Sequence, residues 1–205
     1  MSRPPILDKH QSYTFSKYFE LTADPEDIFT ELGVSFYKKS LDLPVSEENF
    51  VFLPNLDERL QQTLELVDLT TEMARRETLI APVLLAVCIQ AQHPLKIEYA
   101  IKVNQWLQGT VDYFIPGQQA LLIIEAKQAD LARGFVQLGA ELVALDQWTS
   151  SSSPVLYGAV TTGDVWKFGC LHCAEKKLLQ DIRLYTIPSD LKSLVSILSG
   201  IIQGD

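Results

Sequence analysis

The stretch that decides the fold is Gly109-Thr-Val-Asp112-Tyr-Phe-Ile, followed by a turn containing Pro and Gly, and then Leu121-Leu-Ile-Ile-Glu125-Ala-Lys127. Runs of β-branched and aromatic residues between turn residues predict two strands, and the Pro-Gly pair predicts that they form a hairpin. Side chains two positions apart share one face of a strand, so Glu125 and Lys127 are expected to project together. With the hairpin in register, Asp112 lies across from them.

Two carboxylates and one ammonium group at the end of an apolar sheet point to a metal site. Carboxylates held close together raise each other's pKa, and a cation between them relieves their repulsion. Mg²⁺ typically takes one or two protein carboxylates and fills its other positions with water and substrate phosphate. A nearby lysine can help activate the attacking water and neutralise charge on phosphate. These residue types predict phosphodiester hydrolysis assisted by Mg²⁺ or Mn²⁺.

Gly-x-x-Asp112, Glu125-Ala-Lys127 and Gln137 resemble the core signature of the PD-(D/E)XK nuclease superfamily. The nearest likeness is to the nuclease domain of type I restriction motor subunits and to related bacterial proteins, over roughly residues 68–160. The resemblance implies a restriction-endonuclease-like fold in which Asp112 and Glu125 bind the metal. It also implies that Lys127 assists the water and that Gln137 supports the geometry or contacts the nucleic-acid backbone.

The helix that precedes these strands carries the expected third acidic group. Thr70 or Thr71 is predicted to begin this helix, and Glu72-x-x-x-Arg-x-x-x-Ile-x-x-x-Leu84 resembles the first helix of the type I nuclease domain. On that match Glu72 is the third catalytic carboxylate and metal ligand. Glu77, on another face of the helix, is the alternative, and both could instead be solvated carboxylates.

The predicted fold is α/β, with a mixed central sheet of about four to six strands flanked by helices. The chain of 205 residues is expected to form a single domain. Within it, residues 1–68 are an N-terminal extension packed on the core, and 69–205 form the nuclease-like core. In the extension, 34–37 and 41–43 are predicted to form a short hairpin or paired strands, with 38–40 at the turn. In the core, Pro82 is expected to kink or divide the first helix.

Composition narrows the class of protein. Hydrophobic residues make up 47% and charged residues 21%, as in a folded soluble protein. The longest apolar run near a helix, Ala81–Ile89, is too short for a membrane span, and the N-terminus lacks a signal-peptide core, so a cytoplasmic location without membrane contact is expected. Three cysteines do not make a disulfide framework. Cys170, His172 and Cys173 cluster, but a structural zinc site needs four ligands, so zinc is rejected.

The net charge of −9 bears on the expected partner, DNA, because lysine and arginine contacts to phosphate dominate nucleic-acid affinity. Residues 1–70 hold thirteen acids and six bases, whereas 71–205 hold thirteen acids and eleven bases and are nearly neutral. Three function classes follow: a metal-dependent DNA endonuclease, a catalytically silent binding or assembly module on the same fold, and a small-molecule metal enzyme. Many relatives of the superfamily pair to cut both strands, so a homodimer is a further expectation.

Overall fold

The computed structural model describes residues 5–116, 121–126, 130–149 and 153–204, with the backbone alone described at 121–126. The helices are α1 Phe15–Glu20, α2 Pro25–Glu31, α3 Leu53–Leu66, α4 Glu72–Arg75, a π-helical turn Arg76–Ile80, α5 Ala81–Ala91, α6 Leu131–Trp148 and α7 Leu191–Gln203. The strands are β1 Ser35–Lys39, β2 Lys96–Lys102, β3 Gln108–Pro116, β4 Leu121–Ala126, β5 Val155–Thr161, β6 Val165–His172, β7 Lys177–Asp181 and β8 Tyr185–Thr186.

The strands form one mixed sheet in the order β1-β7-β6-β5-β4-β3-β2, and β8 pairs with β6 beyond the end of β7. The pairs β1–β7 and β4–β5 are parallel, and the other pairs are antiparallel. The predicted α/β class with a mixed sheet is therefore confirmed. The described sheet has eight strands, more than the four to six predicted, because the short strands β1 and β8 pair with β7 and β6.

Helices cover both faces of the sheet, and each face buries its own apolar core. On one face α3, α5 and α7 pack against side chains that include Tyr113, Trp166 and Phe168. On the other face α1, α2 and α6 pack against side chains that include Val111 and Phe114. Trp166 is fully buried, so it is a core residue and does not offer a surface for base stacking.

Side-chain caps fix the beginnings of three helices, as their sequences predict. The Asp24 carboxylate accepts a hydrogen bond from the Glu26 amide at 2.9 Å, which fixes the start of α2. The Thr71 hydroxyl accepts from the Ala74 amide at 3.1 Å at the start of α4. At α6 the Asp130 carboxylate accepts a bond of 2.9 Å from the amide three residues later. The capping residues at the starts of these three helices can therefore be recognised in the sequence.

The predicted hairpin in the N-terminal segment is wrong. Strand β1 pairs in parallel with β7, from Ser35 with Lys177 to Lys39 with Asp181, and 41–43 form no strand. The Leu41 amide instead donates to the buried Asp181 carboxylate at 3.4 Å, which ends the pairing. The partner strand lies about 140 residues away in sequence, so local turn chemistry at 38–40 could not reveal it.

The helix that carries Glu72 is divided, in agreement with the expected effect of Pro82. α4 passes through the π-helical turn into α5, and Pro82 lies in the first turn of α5. Proline has no amide hydrogen to donate to the preceding turn, and π-helical turns absorb such interruptions and often lie at functional sites. None of the helices in the described ranges is long and apolar enough to cross a membrane.

Candidate active site

The β3–β4 ladder brings two of the predicted carboxylate positions together. Its pairs run from Pro116 with Leu121 to Tyr113 with Ile124. The next positions along these two strands are Asp112 and Glu125, which therefore occupy neighbouring places in the sheet, at the end nearest the start of α6. The antiparallel hairpin inferred from the sequence is confirmed between the described residues of these strands. Lys127 lies outside the described residues, as does the side chain of Glu125, and their roles stay predictions.

Arg76, on the π-helical turn, contacts Asp112 and two of its neighbours. Its Nη2 donates to Glu98 Oε1 at 2.6 Å, and its Nη1 lies 3.7 Å from Asp112 Oδ1. The guanidinium carbon lies 5.3 Å from the centre of the Tyr113 ring, a cation–π distance. Burial lowers the pKa of Arg76, but hydrogen bonds with Tyr113 and Glu98 and the charge of Asp112 offset this and raise the pKa above its ordinary value. A permanent positive charge therefore lies beside Asp112.

The alternation of side chains along β3 breaks at Asp112. Tyr113 packs in the core on the α5 side of the sheet, whereas Val111, two residues earlier, packs in the core on the α6 side. The neighbouring pairs of the β2–β3 ladder place Glu98 opposite Asp112. Glu98 has φ 52°, a left-handed conformation that costs a non-glycine residue about 1–3 kcal/mol. Strain of this kind concentrates at functional sites, which favours a functional role for this pair of positions.

The strain at Glu98 gives a stability prediction. Replacing Glu98 by Gly and by Ala removes the same ion pair, but only glycine adopts φ 52° without a steric penalty. We expect Glu98→Gly to be more stable than Glu98→Ala by about 1 kcal/mol, measured by urea unfolding. Equal stability of the two variants would show that the left-handed backbone at this position is not retained in solution.

Glu72 and Glu77 line one cavity next to this cluster. The cavity has a volume of about 540 Å³, and its other lining residues include Arg76, Glu98 and Tyr113. Both candidates for the third carboxylate therefore share a cavity with Arg76 and Glu98, and the choice between them stays open. Across the described ranges, no three acidic, histidine or cysteine side chains are arranged to hold a metal ion.

Gln137 is buried within α6. It is 3% exposed, and its Nε2 donates to Glu141 Oε1 at 3.0 Å, one helical turn further along. Glu141 is fully buried on the same side. The Gln137 amide therefore holds the Glu141 carboxylate within α6, and both roles expected of Gln137 in catalysis stay predictions.

Removing the Gln137 amide should destabilise the protein. Gln137→Ala removes the hydrogen bond that the buried Glu141 carboxylate accepts from Gln137, and such a loss typically costs about 1–3 kcal/mol. We expect a loss of this size in the free energy of unfolding, measured in urea. The exposed helix amide Gln61, bonded to Asp57 at 3.0 Å, is the matched control, and Gln61→Ala should cost less than about 0.5 kcal/mol. If Gln137→Ala lowered the free energy of unfolding no more than Gln61→Ala, the buried hydrogen bond between Gln137 and Glu141 would be contradicted.

Arg76 and Glu98, which lie next to Asp112, were not predicted from the sequence as candidate site residues. Arg76 was visible only as one position of a helix pattern, four residues after Glu72. Glu98 appeared as an ordinary polar position in an alternating strand, although it lies opposite Asp112 once β2 and β3 pair. In an antiparallel hairpin the two numbers of each residue pair have a constant sum, so a correct register for β2 and β3 would have placed Glu98 opposite Asp112. The contact of Arg76 with these residues depends on how the helix packs on the sheet.

Comparison of the sequence with protein-family models finds no match, and comparison with curated proteins finds none either.

Proposed function

We propose that this chain is a metal-dependent phosphodiesterase that cuts DNA, a nuclease of the PD-(D/E)XK kind with a restriction-endonuclease-like core. The observation that carries the proposal is the neighbouring position of Asp112 and Glu125 in the β3–β4 ladder, at a sheet end where a strained backbone and the half-buried Arg76 also lie. A sheet made of apolar residues has no structural need for two adjacent carboxylates. Their presence is explained if they bind a cation.

The donor set fits Mg²⁺ or Mn²⁺. Both are hard cations that take carboxylate oxygens, and Asp112 and Glu125 would hold the ion, with Glu72 or Glu77 from the adjacent cavity as the third group. When bound, such an ion supplies Lewis-acid activation of the phosphate and lowers the pKa of water. Lys127 would orient the attacking water and neutralise charge that develops on the phosphate.

Arg76 has two roles in this proposal. By holding Glu98 and Asp112 it fixes the orientation of the Asp112 carboxylate, and one-fifth of its side chain stays exposed to the adjacent cavity. Its charge can also contact a substrate phosphate, because guanidinium groups bind phosphate with two parallel hydrogen bonds. The cluster therefore supplies a fixed cation close to the negative charge that hydrolysis creates.

The proposal is tested by cleavage of labelled single-stranded, duplex and branched DNA in Mg²⁺ or Mn²⁺. We expect cutting that stops on chelation with EDTA and is lost in Lys127→Ala. Cutting of both strands of a duplex at one place would also indicate the expected homodimer, which a native mass measurement checks. Absence of cutting by folded protein on all three substrates in both metals would contradict the proposal.

A second function, a catalytically silent binding or assembly module on the same fold, is favoured by one observation. Arg76 already provides a positive charge for Asp112 and Glu98, so the carboxylates have an internal counter-ion without any metal. The acidic charge of the whole chain agrees with a protein partner better than with nucleic acid. In this case Arg76 would be a purely structural residue.

Substitution of Arg76 separates the two functions. If the chain is a nuclease, Arg76→Gln should reduce the cleavage rate about 10–100-fold, because a residue that orients a metal ligand has been lost. Wild type should then show a rise in Tm with Mn²⁺, and Asp112→Asn should not. If the chain is a silent module, wild type should show neither cleavage nor a rise in Tm with Mn²⁺, and Arg76→Gln should only lower Tm.

A further inference from the structure

A small cavity on the α6 face of the sheet gathers positive charge outside the cluster around Asp112. Its volume is about 220 Å³, and its polar lining residues are Lys38 on β1, Lys167 on β6, and Gln180 and Asp181 on β7. Apolar walls come from the first turns of α6 and from the edge of β1. The pairing of Lys38 with Gln180 across the β1–β7 ladder fixes the two groups side by side.

Neither lysine forms an ion pair with any residue in the described part of the chain. Lys38 contacts the Phe36 ring at 5.8 Å. Burial lowers the pKa of Lys167, and the charge of Lys38 lowers it further, while Asp181 acts in the opposite direction. Lys38 is exposed at the mouth of the cavity and Lys167 is half-buried, and an anion that contacts both ammonium groups would relieve their repulsion.

The Asp181 carboxylate does not neutralise these lysines fully, because it has its own partners. It lies 3.2 Å from Arg183 Nη2 and accepts hydrogen bonds from the amides of Leu41 at 3.4 Å and Arg183 at 3.0 Å. Asp181 and Arg183 balance each other in charge. The cavity therefore retains the positive charge of Lys38 and Lys167.

Gln180 adds an observation that is independent of the charges. Its side chain lines the cavity, the residue is 4% exposed, and its amide forms no hydrogen bond with another residue in the described ranges. The Gln180 amide atoms are not among the fully buried polar atoms that lack a partner in the described ranges, so they reach the open space of the cavity. A ligand oxygen in the cavity would accept from the Gln180 amide.

The cavity also lies near the positive end of a long helix. Ala132, in the first turn of the 18-residue helix α6, is part of its lining. The amino end of a helix carries partial positive charge that favours anions. The helix end therefore adds to the positive potential that Lys38 and Lys167 create in the cavity.

We propose that Lys38, Lys167 and Gln180 form a binding site for a phosphate group, carried by a nucleic-acid strand or by a free phosphate compound. Phosphate has the negative charge that two lysines neutralise, and its oxygens can accept a hydrogen bond from the Gln180 amide NH₂ group. The volume of the cavity, about 220 Å³, has room for a phosphate group. Phosphate binding in this cavity requires neither a bound metal ion nor DNA cleavage.

The position of the site indicates the nucleic-acid source, and this part of the inference rests on the proposed function. In the sheet, Glu125 pairs with Val160 and Val160 pairs with Lys167. At about 4.8 Å per strand, Lys167 is about 10 Å from Glu125 along the same edge. With about 3.4 Å of rise per nucleotide, a strand cut at Asp112 and Glu125 would present another phosphate here about three nucleotides away.

The test measures phosphate binding without cleavage. Isothermal titration with inorganic phosphate, in EDTA, compares wild type with Lys167→Met and Lys38→Met, which keep the apolar stem and remove the charge. Lys192→Met is the matched control, because Lys192 is an exposed lysine on α7. We expect phosphate to bind wild type and the control equally and to bind each cavity variant about tenfold more weakly or not at all. Lys167→Arg, which keeps the positive charge, should bind phosphate as wild type does. Thermal melts verify that all variants are folded.

A second arm identifies the source of the phosphate. Binding of a single-stranded 12-mer to the same proteins is measured by fluorescence anisotropy over a range of salt concentrations. A nucleic-acid source predicts that Lys167→Met weakens oligonucleotide binding and reduces the salt slope by about 1, whereas Lys192→Met does neither. Unchanged oligonucleotide affinity together with lost phosphate binding assigns the site to a free phosphate compound. Equal phosphate binding by wild type and both cavity variants, or no phosphate binding by any of them, overturns the proposed site.

Discussion

Asp112→Asn is expected to reduce metal-dependent DNA cleavage at least about 100-fold while leaving the fold intact. Substitutions of groups that only support a metal ligand cost about 10–100-fold, and loss of the ligand itself should exceed that range. The amide has nearly the same shape as the carboxylate but removes the negative charge that a divalent cation needs. Initial cleavage rates at several Mn²⁺ concentrations, together with a thermal melt, measure both parts of this expectation.

Asp42→Asn is the matched control for this loss of charge. Asp42 is an exposed residue in the segment between β1 and α3, and its substitution changes the formal net charge by the same amount. Its cleavage rate should stay within about twofold of wild type, because an exposed charge far from the site is screened by salt. Equal activity of Asp112→Asn and Asp42→Asn would remove Asp112 from the site.

Trp166→Ala should cause the largest loss of stability, about 3–5 kcal/mol in the free energy of unfolding. The indole is fully buried in the core on the α5 side, and its Nε1 donates to the Gly163 carbonyl oxygen at 3.1 Å. The substitution leaves a cavity and removes that hydrogen bond in one step. Urea unfolding followed by far-UV circular dichroism measures the loss.

Trp148→Ala provides the comparison within the same residue type. Trp148 ends α6, is 42% exposed, and makes an edge-to-face contact with Tyr99 at 5.6 Å. Truncation there should cost less than about 1.5 kcal/mol, because solvent already covers much of the ring and one aromatic pair is lost. A loss at Trp166 similar to that at Trp148 would contradict the burial of Trp166.

The local structure around the candidate site was predictable because its signals lie close together in sequence. Only four residues separate β3 from β4 in sequence, so the residue pattern and the Pro-Gly pair were enough to predict both strands and their antiparallel pairing. The caps at Thr71 and Asp130 likewise act within three residues of the helix ends that they fix. From these elements followed the neighbouring positions of Asp112 and Glu125.

Interactions between distant segments were not predictable in this way. β1 joins the sheet through β7, which is more than 130 residues later in the chain, and no local pattern at 35–39 favours a parallel partner. The ion pair of Arg76 with Glu98 joins residues 22 positions apart and depends on how the helix crosses the sheet. The left-handed backbone of Glu98 has no signal in sequence, since glycine is the residue that usually marks such a conformation.

Lys38 and Lys167 illustrate the same limit for the proposed phosphate site. They lie on strands at opposite ends of the sequence, and the net charge of −9 conceals a small positive cavity. A net charge summed over a long segment does not show a local cluster of two lysines. Only the strand order β1-β7-β6 brings the two lysines to one cavity.

The central claim, that Asp112 and Glu125 hold a divalent cation, is tested most directly by anomalous diffraction from crystals grown with Mn²⁺. The account predicts one strong anomalous peak within coordination distance of both carboxylates, absent from crystals of Asp112→Asn. A well-ordered structure with no peak at these residues, in which Arg76 still contacts Asp112 and Glu98 at millimolar Mn²⁺, would contradict the claim and favour the silent module.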